Sequence, residues 1–574
     1  MHGLVDAVRG VFCEGGVLAQ ALPGHVYRQG QADMANAVAE TLESGGQLVV
    51  EAGTGIGKTF AYLVPVLLSG KRAILSTATK ALQDQLAYRD IPRILSGLHM
   101  QVRVSVLKGY SSYLCLHRLD SIWNTAGQNP QGGAGHLGHI KAWSAVTQTG
   151  DFAELADSSG FVQFASALAS TRENCLGSDC PKWTECFITR ARQRALDSDL
   201  VVVNHHVFLF DMRLDESGAV ARLPSAPVVV FDEAHHLNEV GVRVLGQRLQ
   251  GWGLQQFCRD VLDVGQVLAL GAKDWRTWLH AASHVMDLLT AMVTEVSGSA
   301  DPHWNEEMQA PDGVDAVAWL RCCLRLKEAM AQIVLLLKLL ESSDTKIAAL
   351  RKTGDAQLRL LQYLMDPTPV GSFKWLELSP HLNWGLSPAN LGPSLGAYFS
   401  EAQARGGKLK SWVFTSSTLG GDPEGSRFRL ACGLEQARFL RLASPFNYSG
   451  QSWLYVPEVF PAPTDPLHSL EVARFVSQAA SVLRGSTLVL TTSIRAMNVI
   501  GLALRQHFAL HKGLEVLIQG DMPKVKIAQK FERSALDLYG GVVVVASNSF
   551  WEGIDLPGEA LRLVVIDRLP FAPP

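Results

Sequence analysis

The chain has 574 residues, 47% of them hydrophobic and 18% charged, with a formal net charge of −3. That length is too great for one core and sets about 3–4 domains as the prior. The near-neutral charge excludes a uniformly basic nucleic-acid-binding chain, although a multidomain protein can confine positive potential to one groove.

No apolar run reaches the ~18–20 residues that span a bilayer. The longest candidate, Ile333–Leu340, is short and interrupted by Lys338, so no membrane association is expected. The first segment, Met1–Gly10, lacks the apolar stretch and cleavage site of a signal peptide. A cytoplasmic location is expected from this, and there clustered cysteines lean towards metal binding or catalysis rather than disulfides.

Gln47–Glu51 reads as a buried strand and Phe60–Leu68 as the helix after it. The turn between them fits A-x4-G-K-[ST], from Ala52 through Gly53, Thr54, Gly55, Ile56, Gly57 and Lys58 to Thr59. Its glycines let main-chain N–H groups wrap a polyphosphate at the positive end of a helix. Lys58 then contacts the β/γ-phosphates of ATP and Thr59 offers its hydroxyl to Mg²⁺. An ordinary glycine turn explains the spacing less well, because strand, loop and helix come in the required order.

Cys115 follows, then Cys175, Cys180 and Cys186 in a C-x4-C-x5-C pattern. Structural zinc favours closer C-x2–4-C pairs, whereas iron–sulfur clusters are held by four thiolates. An iron–sulfur cluster, zinc and buried free thiols are the three readings of this pattern. The glycine-rich stretch Gly127–Gly138 inside the segment reads as a mobile loop. Cys13, Cys258, Cys322, Cys323 and Cys432 fall outside it and read as ordinary thiols.

Ala226–Phe231 is a second apolar strand, ending in Asp232 and Glu233. A strand-ending Asp-Glu pair by itself is more often a helix cap, but the upstream phosphate loop reverses that preference. Asp232 is assigned to the Mg²⁺ shell and Glu233 to deprotonating the attacking water. Residues 240–375 show helical periodicity, best in Ala316–Lys327 and on through Leu340. Strand signals return at Ser411–Thr415, and a second α/β unit begins near 444, with strands at Ser486–Leu490, Gly541–Val545 and Leu561–Ile566.

Asp232-Glu-Ala-His235 resembles the DEAH box of superfamily 2 helicases, and further motifs follow in that family's order. Arg28-Gln-Gly-Gln31 is similar to an upstream element whose glutamine reads adenine, and Ser76–Leu86 to motif Ia, which touches nucleic-acid phosphates. Val201–His206 resembles the V-N-H-H strand, Thr415–Leu419 motif III, Thr491–Arg495 motif IV and Ser549–Asp555 motif V; Ser444-Pro-Phe-Asn-Tyr448 resembles the start of a second motor domain. Lys108–Cys115 resembles the segment carrying the first cluster ligand, with Tyr110 and Ser112 in place of the usual arginine and asparagine. With the four cysteines, the pattern from about Val26 to Pro574 is similar to the XPD/Rad3-like iron–sulfur DNA helicases, in wording nearest the bacterial DinG/YoaA branch.

The resemblance implies an α/β fold of two RecA-like motor domains, the second incomplete. Motor domain 1 is expected over 1–104, 196–239 and 376–443, an iron–sulfur insert over 105–195, a helical arch-like insert over 240–375, and motor domain 2 over 444–574. It implies a 4Fe-4S cluster on the four cysteines, catalytic roles for Lys58, Asp232, Glu233 and His235, and ATP contacts from Arg28, Gln31, the phosphate loop, Gly553 and Asp555. Thr77, Thr79, Gln83, Thr492 and Ser493 are the implied DNA contacts. His205 and His206 are expected to shape the sheet edge rather than do acid–base chemistry. The implied activity is ATP-dependent 5′→3′ movement on single-stranded DNA and unwinding in repair or replication, with the cluster domain as a wedge. Implied partners are single-stranded, forked and 5′-overhang DNA and replication or repair proteins; a monomer, nucleoid-associated when on DNA, is expected. The chain stops at Asp567–Pro574, before the family's Q-x-x-G-R-x-x-R motif VI. An alternative expectation is therefore a hydrolysis-deficient DNA-binding or redox-sensing fragment. A P-loop kinase or metabolic ATPase is disfavoured, because it leaves motifs Ia, III, IV and V without a reason to occur together.

Overall fold

Val201–Val203, Val228–Phe231 and Val542–Val545 are continuous apolar runs, as expected for strands buried on both faces of a parallel sheet. Each is a strand in the computed structural model, which describes all residues except 1–2, 22–25, 127–133, 156–164, 166, 172–174, 217–222, 268–274, 298–301, 342–344, 379–380, 407–409, 510–513, 523, 535–540, 548–549, 552–555, 557 and 571–574. The chain divides into two units. One comprises Met1–Gly109, Arg172–Cys175 and Ala191–Pro445, the other Tyr110–Thr171, Leu176–Arg190 and Phe446–Pro574.

In the first unit, β1 (Gly46–Ala52), β2 (Ala73–Thr77), β3 (Val104–Val106), β4 (Leu200–Asn204) and β5 (Val228–Asp232) share a sheet with two late strands. Those are β11 (Ser411–Ser416) and β12 (Arg438–Leu442), and the order is β12-β1-β11-β5-β2-β4-β3, all parallel. Helices Leu4–Phe12, Gln29–Ser44 and Lys58–Leu68 cover it, and Val8, Val38, Leu42, Leu48, Val50, Tyr62, Leu63, Val202 and Val230 share one core. Each such aliphatic side chain contributes about 1.5–3 kcal/mol by leaving water.

A separate core belongs to helices Gly251–Val267, Trp275–Ser297, Ala316–Leu340 and Thr345–Met365, built on Phe257, Met286, Trp319, Leu326, Met330 and Trp384. Asp315 caps the third helix by accepting from Val317 N and Ala318 N. The short pair β7 (Trp304–Asn305) and β8 (Ala310–Pro311) joins this body. So does an antiparallel sheet of β6 (Gln247–Gln250), β10 (Leu382–Pro388) and β9 (Ser372–Leu378), in that order. The sequence pattern placed the return of strand structure only at Ser411. It misses β9 because a lysine faces the core there: Lys374 is buried beside Leu376, and its ammonium donates to Gln309 Oε1 (2.8 Å) and the Asp366 carbonyl (2.6 Å). Among the described residues, no helix is long and apolar enough to cross a membrane.

The second unit holds a parallel sheet of β13 (Thr487–Leu490), β14 (Leu514–Ile518), β15 (Gly541–Ala546) and β16 (Leu563–Ile566), in the order β14-β15-β13-β16. Helices His468–Leu483, Ile494–Phe508 and Lys524–Ser534 accompany it. Just past β16, Asp567 is buried against His468, whose Nε2 lies 2.8 Å from its carboxylate while Nδ1 lies 2.8 Å from the Pro461 carbonyl. Of the glycine-rich stretch read as a loop, 127–133 lie outside the described residues; from Ala134 the chain is helical to Val146.

Candidate active site

Strand order does most of the assembly. β11 lies between β1 and β5, with Glu51 opposite Ser416 and Thr415 opposite Asp232. The phosphate loop, the turn after Ser416 and the Asp232–His236 turn therefore leave the sheet side by side at its carboxyl edge, where α/β sheets bind ligands. Aromatic packing fixes the middle of that edge. The Phe231 ring stacks on Phe414 at 4.8 Å and meets Phe208 edge-on at 4.8 Å.

Gly55 and Gly57 are left-handed, at φ 86° and 88°. A Cβ at Gly57 would also displace the amide end of the Gln31 side chain. That amide donates to the Gly57 carbonyl at 3.1 Å, tying the adenine-type element to the loop. Arg28 is half-buried at the cap position before the helix that carries Gln31. Lys58 opens the next helix, and its Nζ lies 3.9 Å from Glu233 Oε1.

Asp232 is buried, and its carboxyl is pushed up, by burial first and by the charge of Glu233 second; Lys58 pulls it back. Tyr62, packed beneath, has its phenol raised well above the usual range by burial and then by Asp232. Two carboxylates against one ammonium leave the site short of positive charge, which suits a divalent cation held by Asp232 and Thr59. Glu233 itself is left-handed, at φ 51° and ψ 47°.

His235 Nδ1 lies 2.8 Å from Ser416 Oγ and 3.5 Å from Glu233 Oε2. The Ser416 hydroxyl donates to the Thr418 carbonyl at 2.8 Å. Its proton is thereby committed, so His235 carries its own proton on Nδ1 and donates to Ser416. The DEAH-type turn and the motif III strand are joined through this bond.

The remaining residues singled out in the sequence fall in both units. Thr79 is exposed and caps helix Lys80–Gln85 by accepting from Leu82 N. Ser493, also exposed, caps helix Ile494–Phe508 at Ala496 N, with Thr492 half-buried beside it. Thr77 is buried. Gln83 is buried too, its amide donating to the Leu107 and Val202 carbonyls at 2.9 Å each, so this side chain braces the fold instead of facing solvent. Gly553 and Asp555 lie outside the described residues. Ser444 has a contact that its sequence motif did not foretell. Its hydroxyl donates to the Thr54 carbonyl at 2.7 Å, and its main chain would lie 2.6 Å from a Cβ on Gly53.

Cys115, Cys180 and Cys186 lie in the second unit and Cys175 in a short stretch of the first. None of the four is in a disulfide, and all are half-buried. Cys115 sits where Leu114 bridges Ala169, and its N–H donates to the Leu168 carbonyl. Its thiol is pushed up by burial first, while the N–H groups of Arg118 and His117 favour the thiolate and the charges of Cys180 and Cys186 oppose it. Thiols are the donors that soft metal chemistry suits. Among the described residues, no group of three or more His, Cys, Asp or Glu is gathered closely enough to hold an ion. By contrast, Cys258, Cys323 and Cys432 are buried, with thiols pushed up by burial to about 11, 12 and 12.

A family model described as DEAD/DEAH box helicase matches residues 31–127, and one described as helicase C-terminal domain matches 476–574. The chain is 35% identical to the ATP-dependent DNA helicase YoaA of Escherichia coli K12, over 98% of this chain and 85% of that protein. It is 34% identical to the YoaA of Haemophilus influenzae, over 99% and 86%. Identity is 29% to the ATP-dependent helicase DinG of Mycobacterium tuberculosis H37Ra, over 97% and 83%. Sequence and strand-end geometry agree: the chain belongs to the YoaA/DinG family of ATP-dependent DNA helicases, with a nucleotide-binding α/β fold of RecA-like type.

Proposed function

We propose that this chain hydrolyses ATP at the carboxyl edge of β1, β11 and β5 and uses the turnover to move 5′→3′ along single-stranded DNA, opening forked and 5′-overhang duplexes. Lys58 balances charge on the β/γ-phosphates, Asp232 and Thr59 hold Mg²⁺, and Glu233 takes the proton of the attacking water. His235 passes the state of this turn to Ser416 on β11. Thr79 and Ser493, exposed caps that each follow a strand of a parallel sheet, are the proposed phosphate contacts, with Thr492 beside the second. Gln83 has no direct part in them.

Cys115, Cys175, Cys180 and Cys186 would hold a 4Fe-4S cluster, which cross-links its loops and adds a redox-active centre. Replication or repair proteins, a monomeric state and nucleoid association on DNA belong to the same proposal. The observation that carries the reading is the side-by-side exit of three chemically distinct turns, with Lys58 3.9 Å from Glu233. The test is ATP hydrolysis with and without single-stranded DNA, on anaerobically purified protein whose iron is assayed in the same sample, followed by unwinding of 5′- and 3′-overhang forks. DNA-stimulated turnover, about four irons per chain and opening of the 5′-overhang fork are expected. Iron and DNA affinity with negligible turnover would select a non-hydrolysing DNA-binding module in its place.

A further inference from the structure

β5, β2 and β4 are neighbours in the first sheet, and Ser76 on β2 lies level with Phe231 on β5 and Val203 on β4. His205 is the first residue beyond β4, where the chain turns into helix His205–Glu216. Asn204 fixes that turn by accepting from Val207 N at 2.9 Å. The His205 ring is fully buried and reaches back across β2, its Nδ1 2.7 Å from Ser76 Oγ and its centroid 6.1 Å from that of Phe231. Nε2 is buried as well and makes no hydrogen bond of its own among the described residues.

Burial pushes this imidazole down to about 3, while the main chain of Glu233 and Asp232 favours its protonated form, which is the effect of nearby carbonyl oxygens. The geometric link of this ring to the Asp232–Glu233 turn is its packing beside Phe231, the residue directly before Asp232. That turn needs holding: Glu233 is a non-glycine residue at φ 51°, a strained conformation that persists only where its surroundings impose it.

We propose that His205 is a positioning residue for hydrolysis: hung from the end of β4 and bonded to Ser76 on β2, its ring packs beside Phe231 and through it steadies the Asp232–Glu233 turn that follows, so that a shift of β2 and its DNA-facing loop moves the general base. This rests on the function proposed above. It gives single-stranded DNA at Thr79 a route of packed groups to Glu233 that is separate from the His235–Ser416 bond.

The test uses the full 574-residue chain carrying His205→Phe, His205→Gln, Ser76→Ala, or Ser76→Ala with His205→Phe. ATPase with and without single-stranded DNA, affinity for fluorescent ADP and thermal midpoint are measured for each. His205→Phe should lower the DNA-stimulated kcat about 10²-fold, the cost of a small misplacement of a catalytic group, with KM for ATP and ADP affinity unchanged. His205→Gln, which keeps an acceptor and a donor, should restore much of the rate. Ser76→Ala should give a smaller loss in kcat, and the double variant should be no worse than His205→Phe. Wild-type kcat in His205→Phe, a loss confined to KM, or losses that multiply in the double variant would each overturn the proposal. If His205→Phe does not fold, Ser76→Ala decides, because an unchanged kcat there rejects it. A wild-type chain without DNA-stimulated turnover removes the functional reading and this inference together; normal wild-type turnover with an unaffected His205→Phe removes this inference alone.

Discussion

The carboxyl edge of the seven-stranded sheet and the cysteine-bearing segment both gather residues that are far apart in the chain. The sheet edge does so through strand register: once β11 pairs between β1 and β5, Lys58, Glu233, His235 and Ser416 have little freedom left. The cysteines hang on two isolated bridges, a 3₁₀ turn at Gly177–Asp179 and helix starts, and the described ones form no closed ligand set. One site is built by the backbone before any ligand arrives. The other offers four thiols on a weak frame, so the cluster proposed for it would bind and order that segment in one event.

The comparison is broken most sharply at the cysteines. On the proposed cluster, Cys180→Ser should lose iron and visible absorbance relative to the wild-type chain, and amide exchange across 110–190 should rise, while affinity for ADP stays unchanged. Full retention of iron would show that the frame, not the metal, closes that site. Glu233→Gln reverses the pattern. It should cut turnover about 10²–10⁴-fold, the usual worth of a general base, with iron content untouched. Ser416→Ala is the finest cut, because it removes one hydroxyl, the acceptor for His235 and the local bonds it shares with Thr418. DNA-stimulated turnover should fall about tenfold, the scale of one hydrogen bond, with nucleotide affinity preserved; an equal loss without DNA would mean that the bond serves hydrolysis itself and not its coupling.

Much of the sheet edge was legible in the sequence, for a physical reason. Glycines at fixed spacing before Lys58 and carboxylates closing a valine-rich strand are local patterns, and local geometry follows from them. What was not legible depends on pairs separated by long stretches of chain. The Ser444 bond to Thr54 spans 390 residues and the Ser76 bond to His205 spans 129. Neither serine carries a local mark of its partner. Gln83 misled through polarity: a glutamine beside a phosphate-contact loop reads as a ligand, yet its amide is spent on two main-chain carbonyls. Lys374 hid β9 in the same way, by placing a charged residue where alternation calls for an apolar one.

Both neighbours of β1, β11 and β12, are made only near the end of the first unit. During synthesis the strand that presents the phosphate loop therefore stays without its partners until residues beyond 440 have emerged. At about 5–20 residues per second this leaves an apolar strand unpaired for on the order of tens of seconds. The nascent protein cannot bind nucleotide in that interval and must be kept from aggregating through Leu48–Val50. Nucleotide binding thus becomes a late checkpoint of biogenesis, so that a ribosome-bound chain halted before β12 should be captured by chaperones and ignored by ATP.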